Sequence, residues 1–139
     1  MCGMNAVRSP MAERLAREVL PTSTFIASAG LRRGEPDPFV DAVLAEDGLQ
    51  PWEHRSKALD DLEDVYFDLI VTLSPEAHHA ALELTRSLAV EVEYWPTADP
   101  TSTHGARGQI MAAYRDVRDR LKARIAARFG REASRTAHD

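Results

Sequence analysis

Segments with strand character and segments with helix character alternate along this 139-residue chain. Residues 67–73, FDLIVTL, form the strongest strand-like run, and the Ser74-Pro75 pair directly after it is typical of a helix start. Strands that alternate with helices build parallel sheets covered by helices. The sequence therefore predicts an α/β fold, a three-layer sandwich with a central parallel sheet flanked by helices. Ligands of such sheets bind beyond the carboxyl ends of the strands.

The other elements follow from apolar periodicity and from the positions of proline and glycine. The patterns predict helices over residues 9–20, 38–46 and 75–86, and a last helix from about Ile110 to about Phe129. They predict strands over residues 24–27, 67–73 and 90–95. We expect one domain over residues 1–130, followed by a polar tail over residues 131–139.

Composition argues against several classes of function. The net charge of −5 disfavours broad nucleic-acid or anionic-membrane binding, which depends on clustered cations. No apolar run reaches the roughly 18 residues of a membrane span, and no secretory signal pattern begins the sequence, so we expect a cytoplasmic protein. Cys2 is the single cysteine, which excludes a disulfide within these residues and a multi-cysteine zinc site.

The surroundings of Cys2 suggest a reactive thiol. Five residues separate Cys2 from Arg8, and Ser9-Pro10 then opens a predicted helix. Such a segment can curl so that its N–H groups and the helix N-terminus point at a tetrahedral oxyanion, with Arg8 as a bidentate clamp. The same field favours a nucleophilic thiolate. The predicted phosphate-binding loop comprises Cys2, Gly3, Met4, Asn5, Ala6, Val7, Arg8 and Ser9.

The stretch CGMNAVRSPMAE, residues 2–13, resembles the signature of the low-molecular-weight protein tyrosine phosphatase and arsenate reductase family. The likeness extends to about residue 129. It implies a cysteinyl-phosphate mechanism with Cys2 as nucleophile and Arg8 as oxyanion ligand. It assigns the general acid to Asp99, in the Asp99-Pro100 pair, and it implies neither a metal nor a cofactor.

The resemblance also implies residues that support the loop. In the family, an asparagine inside the loop adopts a left-handed backbone conformation and bonds to serine and histidine side chains. Asn5, Ser28 and His54 occupy the matching positions, and Ser9 completes the network. Asparagine tolerates a positive φ better than most residues, so this role suits Asn5.

Several positions depart from the family pattern. The aromatic residues that flank the pocket of phosphotyrosine-specific members are not evident, and Leu31-Arg32-Arg33 stands at one of these places. The two arginines either form a solvated pair or face an anionic substrate. Residues 95–119 look closer to the arsenate reductases. However, Ser74 stands near the place of their resolving cysteine, so any reduction of arsenate would need an external small thiol.

The start of the sequence is a further departure. Members of the family have a short apolar strand before the cysteine, in the middle of the sheet, whereas only Met1 precedes Cys2 here. We therefore expect the first central strand to be missing, which would leave two strand edges exposed. This expectation implies either that the sequence begins too late or that this form is unstable and inactive.

Three functions are open at this stage. The first is a phosphatase acting on phosphotyrosine-like or small aryl phosphate monoesters, and the second is an arsenate reductase that uses a glutathione- or mycothiol-type thiol. The third is a catalytically silent module that binds oxyanions. The expected partner is thus a phosphorylated protein or a small phosphate or arsenate oxyanion.

Overall fold

The computed structural model describes residues 1–5, 7–50, 56–62 and 67–138, and it has an α/β fold with parallel strands. In chain order, the strands and α-helices are β1 (Cys2–Asn5), α1 (Arg8–Val19), β2 (Gly30–Arg33), α2 (Pro38–Glu46), β3 (Leu69–Thr72), α3 (Pro75–Leu84), β4 (Glu91–Tyr94) and α4 (Arg107–His138). Short 3₁₀ helices lie at Leu59–Leu62 and Pro100–Ser102. No helix in these described ranges is long and apolar enough to span a membrane.

The described chain divides into two compact units. The first unit consists of Met1–Pro10, Ser28–Asp37 and Trp52–Ala98, and it contains the four strands and α3. The second unit consists of Met11–Ala27, Pro38–Pro51 and Asp99–Asp139, and it contains α2, α4 and most of α1. The single domain expected over residues 1–130 stays a prediction.

The strands of the first unit pair in parallel. β1 pairs with β2, with Cys2 opposite Gly30, and β3 pairs with β4, with Leu69 opposite Glu91. Met1 connects the two pairs, because its amino group donates to the Val71 carbonyl at 2.6 Å and its carbonyl accepts from Leu73 N–H at 2.8 Å. Cys2–Asn5 thus pair with β2, and Met1 bonds to Val71 of β3 and to Leu73 directly after it.

The helix after β3 begins as the sequence predicts. Ser74 caps it, since the Ser74 hydroxyl accepts from Ala77 N–H at 3.2 Å, and Pro75 takes the first helical position. Ala77 and Ala81 are fully buried on the face of α3 that packs on the strands of the first unit. The predicted helix and the predicted strands on either side of it are therefore confirmed, with shorter bounds.

In the second unit, α2 packs on α4. The apolar stripe predicted for the last helix is buried, with Ile110 partly exposed at its beginning and Tyr114, Val117, Leu121 and Ile125 almost fully enclosed. The rings of Phe39 and Tyr114 lie 5.2 Å apart between the two helices. The helix predicted over residues 38–46 is confirmed, and Gly48, with a φ of 78°, follows its end.

A buried arginine joins the same two helices. Arg118 donates from Nη1 to the Val43 carbonyl at 2.7 Å and to Glu46 Oε1 at 3.1 Å. Arg115 binds both carboxylate oxygens of Glu46, at 2.9 and 2.8 Å. A buried charge needs such partners, and the Val43 carbonyl belongs to the last turn of α2, where carbonyls lack helical donors.

Two strands differ from the sequence prediction. The patterns give no strand before the first helix, whereas the structure forms β1 from Cys2–Asn5; they also place a strand at residues 24–27, whereas β2 is Gly30–Arg33. The two differences are linked, because parallel partners share one register. Once Cys2 begins β1, the residues that face it are those from Gly30 onward.

The last helix is also longer than predicted. It runs to His138 instead of ending near Phe129. Residues 131–138 contain arginine, glutamate and alanine, which are good helix formers, and no proline that would end the helix.

Glu46 gives the fold a testable pH dependence. The hydrogen bond from Arg115 lowers the pKa of Glu46 from 4.5 to about 2. Because this pKa is lower in the folded chain, the stabilisation is complete above the unfolded value and is lost as the pH falls towards the folded one. We expect Glu46→Gln to reduce the pH dependence of the free energy of unfolding between about pH 5 and about pH 2, as measured by urea denaturation.

Glu91→Gln is the matched control, since Glu91 is exposed and has no ion pair among the described residues. It should leave the pH dependence of the wild type in place. The same slope for Glu46→Gln and the wild type would show that the contact of Glu46 with the two arginines does not form in solution.

Candidate functional site

Cys2 is buried next to a hydroxyl group. Cys2 is the first residue of β1 and is 1% exposed, and its Sγ lies 3.0 Å from Ser9 Oγ. Its N–H donates to the Ala29 carbonyl at 3.4 Å. The structure thus brings together the two ends of the predicted loop, the candidate nucleophile and the serine of the first helical turn.

Ser9 has hydrogen-bonding partners for both states of the thiol. Its hydroxyl also donates to the Ala29 carbonyl, at 3.4 Å. A hydroxyl has one proton, so while Ser9 donates to Ala29 it can accept from a Cys2 thiol. Once the sulfur is a thiolate, the hydroxyl can turn and donate to it. Ser9 is only 2% exposed, so water does not compete for this position.

Arg8 is the first residue of α1 and is half-buried. Its Nη1 donates to the Thr97 carbonyl at 3.0 Å. Thr97 is itself fixed, because its N–H donates to the Leu73 carbonyl at 3.1 Å and its hydroxyl donates to the Trp95 carbonyl at 2.8 Å. A guanidinium carries five N–H donors, so holding Thr97 leaves others for an oxyanion.

The middle of the predicted loop is extended in this structure. Gly3, Met4 and Asn5 belong to β1, and no non-glycine residue in the described ranges has a positive φ. The left-handed conformation that the resemblance implies for Asn5 is therefore not present here. The reason is strand pairing, since the backbone of residues 2–5 is held extended beside β2 and a left-handed residue would interrupt that pairing.

The remaining predicted residues are Ala6 and Val7 of the loop and the two supporting residues, Ser28 and His54. Val7 is buried, whereas Ala6 lies outside the described residues. Ser28 is buried directly before Ala29, whose carbonyl accepts from both ends of the motif. His54 also lies outside the described residues, so its predicted role stays a prediction.

Asp99 belongs to the second unit and is exposed. Its carboxylate caps the 3₁₀ helix Pro100–Ser102, because Oδ1 accepts from Thr101 N–H at 3.0 Å and from the Thr101 hydroxyl at 2.6 Å. These bonds fix the direction of the carboxyl group. One oxygen, Oδ1, makes both bonds.

Sequence reasoning missed two main-chain groups of this site. The Thr97 carbonyl holds Arg8, and the Ala29 carbonyl accepts from Ser9 and from Cys2. Any residue supplies a carbonyl, so neither position carries a signal in its side chain. The position just after the predicted strand over residues 90–95 could still have pointed to Thr97, since such strand ends surround ligand sites.

No metal site is evident in the described part of the chain, because no three His, Cys, Asp or Glu side chains there are grouped to hold an ion. The chemistry available to these residues is that of a thiol, a hydroxyl and a guanidinium. Such a set suits nucleophilic attack on an oxyanion.

The model of the low molecular weight phosphotyrosine protein phosphatase family matches residues 1–132. The chain therefore belongs to the low molecular weight phosphotyrosine protein phosphatase family. The resemblance inferred from residues 2–13 and the α/β fold are both confirmed.

The names of similar proteins include arsenate reductases and tyrosine phosphatases. An arsenate reductase of Staphylococcus aureus is 28% identical over 125 residues, which cover 90% of this chain and 89% of that protein. The structure of the tyrosine phosphatase amsI from Erwinia amylovora matches with a TM-score of 0.73 and 26% identity, covering 95% of this chain and 88% of that one. An arsenate reductase structure from Archaeoglobus fulgidus matches with a TM-score of 0.64 and 26% identity, covering 90% and 95%.

The burial of Cys2 predicts a protected thiol. Reaction with a disulfide reagent such as DTNB requires β1 to open, and an opening free energy of about 1.4 kcal/mol already slows the reaction tenfold. We expect the native chain to react at least about ten times more slowly than the chain unfolded in guanidinium, with one thiol per chain after unfolding. Equal rates would mean that β1 is not the prevailing conformation of residues 2–5.

Proposed function

We propose that this protein hydrolyses phosphotyrosine-like or small aryl phosphate monoesters through a cysteinyl-phosphate intermediate. The observation that supports this most is the buried contact of 3.0 Å between Cys2 Sγ and Ser9 Oγ. Ser9 directly follows Arg8 in the sequence. A hydroxyl beside the sulfur stabilises the thiolate as it attacks and again as it leaves. Arg8 then binds the equatorial phosphate oxygens.

The reaction proceeds in two displacements. The Cys2 thiolate attacks phosphorus, the S–P bond forms and the P–O ester bond breaks, while Asp99 gives its proton to the leaving oxygen. Water then attacks phosphorus and loses a proton to Asp99, and the S–P bond breaks to return the thiolate and release phosphate. One carboxyl group can act as acid and then as base. The role of Asp99 derives from the family resemblance, and its exposure and its fixed turn support it.

Oxyanion binding requires a change in residues 2–5. Successive N–H groups of an extended strand point to opposite sides, so those of β1 cannot converge on one phosphate. Gly3, Met4 and Asn5 therefore have to leave β2 and curl around the anion. A ligand that binds only the curled form shifts the population towards it.

A second candidate is reduction of arsenate, which the names of the relatives favour. The Cys2 thiolate would attack arsenate and displace hydroxide, giving a thiol–arsenate adduct. An external thiol would then attack the sulfur of Cys2, so that the S–As bond electrons reduce As(V) to As(III) and arsenite leaves. A second external thiol would release Cys2 from the mixed disulfide. External thiols are required because Cys2 is the single cysteine.

Two variants test the proposed hydrolysis of p-nitrophenyl phosphate at about pH 5–6.5. Cys2→Ser should abolish turnover, because the serine hydroxyl is a far weaker nucleophile. Asp99→Asn should lower turnover by roughly 10²–10⁴-fold, the usual contribution of general acid–base catalysis. Asparagine still accepts from Thr101 N–H and caps a helix well, so the turn should persist.

Turnover that survives in Cys2→Ser would contradict the nucleophile. A wild type that leaves the ester intact but forms arsenite when a small thiol is present would support the second candidate. Binding of inorganic phosphate with neither activity would identify a silent oxyanion-binding module.

A further inference from the structure

Two adjacent arginines at the end of β2 have different surroundings. Arg33 is bound by Asp61, with Nε donating to Oδ2 at 2.9 Å and Nη2 donating to Oδ1. This contact lowers the pKa of Asp61 to about 2, so the carboxylate stays charged and keeps Arg33 occupied. Arg32 is exposed, and its side chain makes no hydrogen bond or ion pair among the described residues.

The strand register places Arg32 on the same face as Cys2. Cys2 lies opposite Gly30 in the β1–β2 pair, and Arg32 follows Gly30 by two residues on β2. Side chains two residues apart on a strand share a face, and so do register neighbours on adjacent strands. Arg33 therefore belongs to the opposite face, together with its contact to Asp61.

The distance between the two positions suits a small substrate. A rise of about 3.3 Å per residue and a strand spacing of about 4.8 Å put the Cα atoms of Cys2 and Arg32 about 8 Å apart. Arg32 also lies near the carboxyl end of β2, the edge at which parallel sheets bind ligands. A long guanidinium side chain at this separation can reach a group a few bonds away from the reacting phosphorus.

We propose that Arg32 determines substrate specificity by binding a second anionic group of the phosphate ester. The inference rests on the proposed function and deepens it. The substrate class is an aryl phosphate that carries a carboxylate or a similar anion near the ester. Arg8 holds the reacting phosphate and Arg32 holds the second charge, while Arg33 takes no part because Asp61 occupies it.

The test compares two esters that differ in charge alone. In 3-(carboxymethyl)phenyl phosphate and its carboxamide, the methylene group keeps the leaving groups nearly equivalent. Because Arg32 is exposed, the wild type should prefer the carboxylate by only about two- to fivefold in kcat/KM, as is usual for exposed ion pairs. This preference should shrink in 0.5 M salt, which screens such pairs.

Three variants attribute the preference to one side chain. Arg32→Gln should bring the kcat/KM ratio to about 1, and Arg32→Lys should retain most of it because the charge is kept. Arg33→Gln removes the same charge from the opposite face and should leave the ratio as in the wild type. Melting temperatures establish that each variant is folded. A wild type with no preference, a preference kept in Arg32→Gln, or one lost in Arg33→Gln would overturn the proposal.

A binding measurement separates this proposal from the proposed hydrolysis. Calorimetry gives the Kd of each ester for Cys2→Ser, which cannot form the covalent intermediate. If the wild type hydrolyses neither ester but Cys2→Ser prefers the carboxylate, and Arg32→Gln in that background loses the preference, the role of Arg32 holds and the hydrolysis does not. If neither turnover nor a binding preference is found, both proposals fail.

Discussion

Backbone hydrogen bonding of residues 1–5 is the constraint on which the first unit depends. Met1 bonds to Val71 of β3 and to Leu73 directly after it, and Cys2–Asn5 pair with β2. Each N–H or C=O group that is buried without such a partner costs about 1–3 kcal/mol. The segment therefore fixes the register of β2, and through it the faces on which Arg32 and Arg33 lie.

The same pairing brings the chemistry of the motif together. Cys2 begins β1, Ser9 stands in the first turn of α1, and the Ala29 carbonyl accepts from both. Arg8 is aligned by Thr97, whose own N–H donates to the carbonyl of Leu73, the residue after β3. The nucleophile, the hydroxyl and the guanidinium are thus positioned by the carbonyls of Ala29, directly before β2, and of Thr97, which follows β4. Gly3, Met4 and Asn5, which would have to curl around an oxyanion, instead belong to β1 in this structure.

Elements with a local cause could be predicted from the sequence. α2 and α3 follow from capping, proline and apolar periodicity, and the buried stripe of α4 follows from spacing alone. β1 and β2 could not be placed, because their register depends on which residues pair across some 28 positions of sequence. The motif implied the contact between Cys2 and Ser9. The role of the Thr97 carbonyl could not be predicted, because every residue has a carbonyl group. The sequence alone does not distinguish Arg32 from Arg33, whereas the strand register and the contact with Asp61 do.

The central claim is that Cys2 carries the phosphoryl group during turnover, and rapid-quench mass spectrometry of Asp99→Asn tests it most directly. p-Nitrophenolate leaves readily without an acid, so this variant should form the intermediate and then hydrolyse it slowly. The account predicts one added phosphoryl group on the peptide that contains Cys2, appearing before steady turnover. Turnover with no adduct, or with the phosphoryl group on another residue, would contradict it.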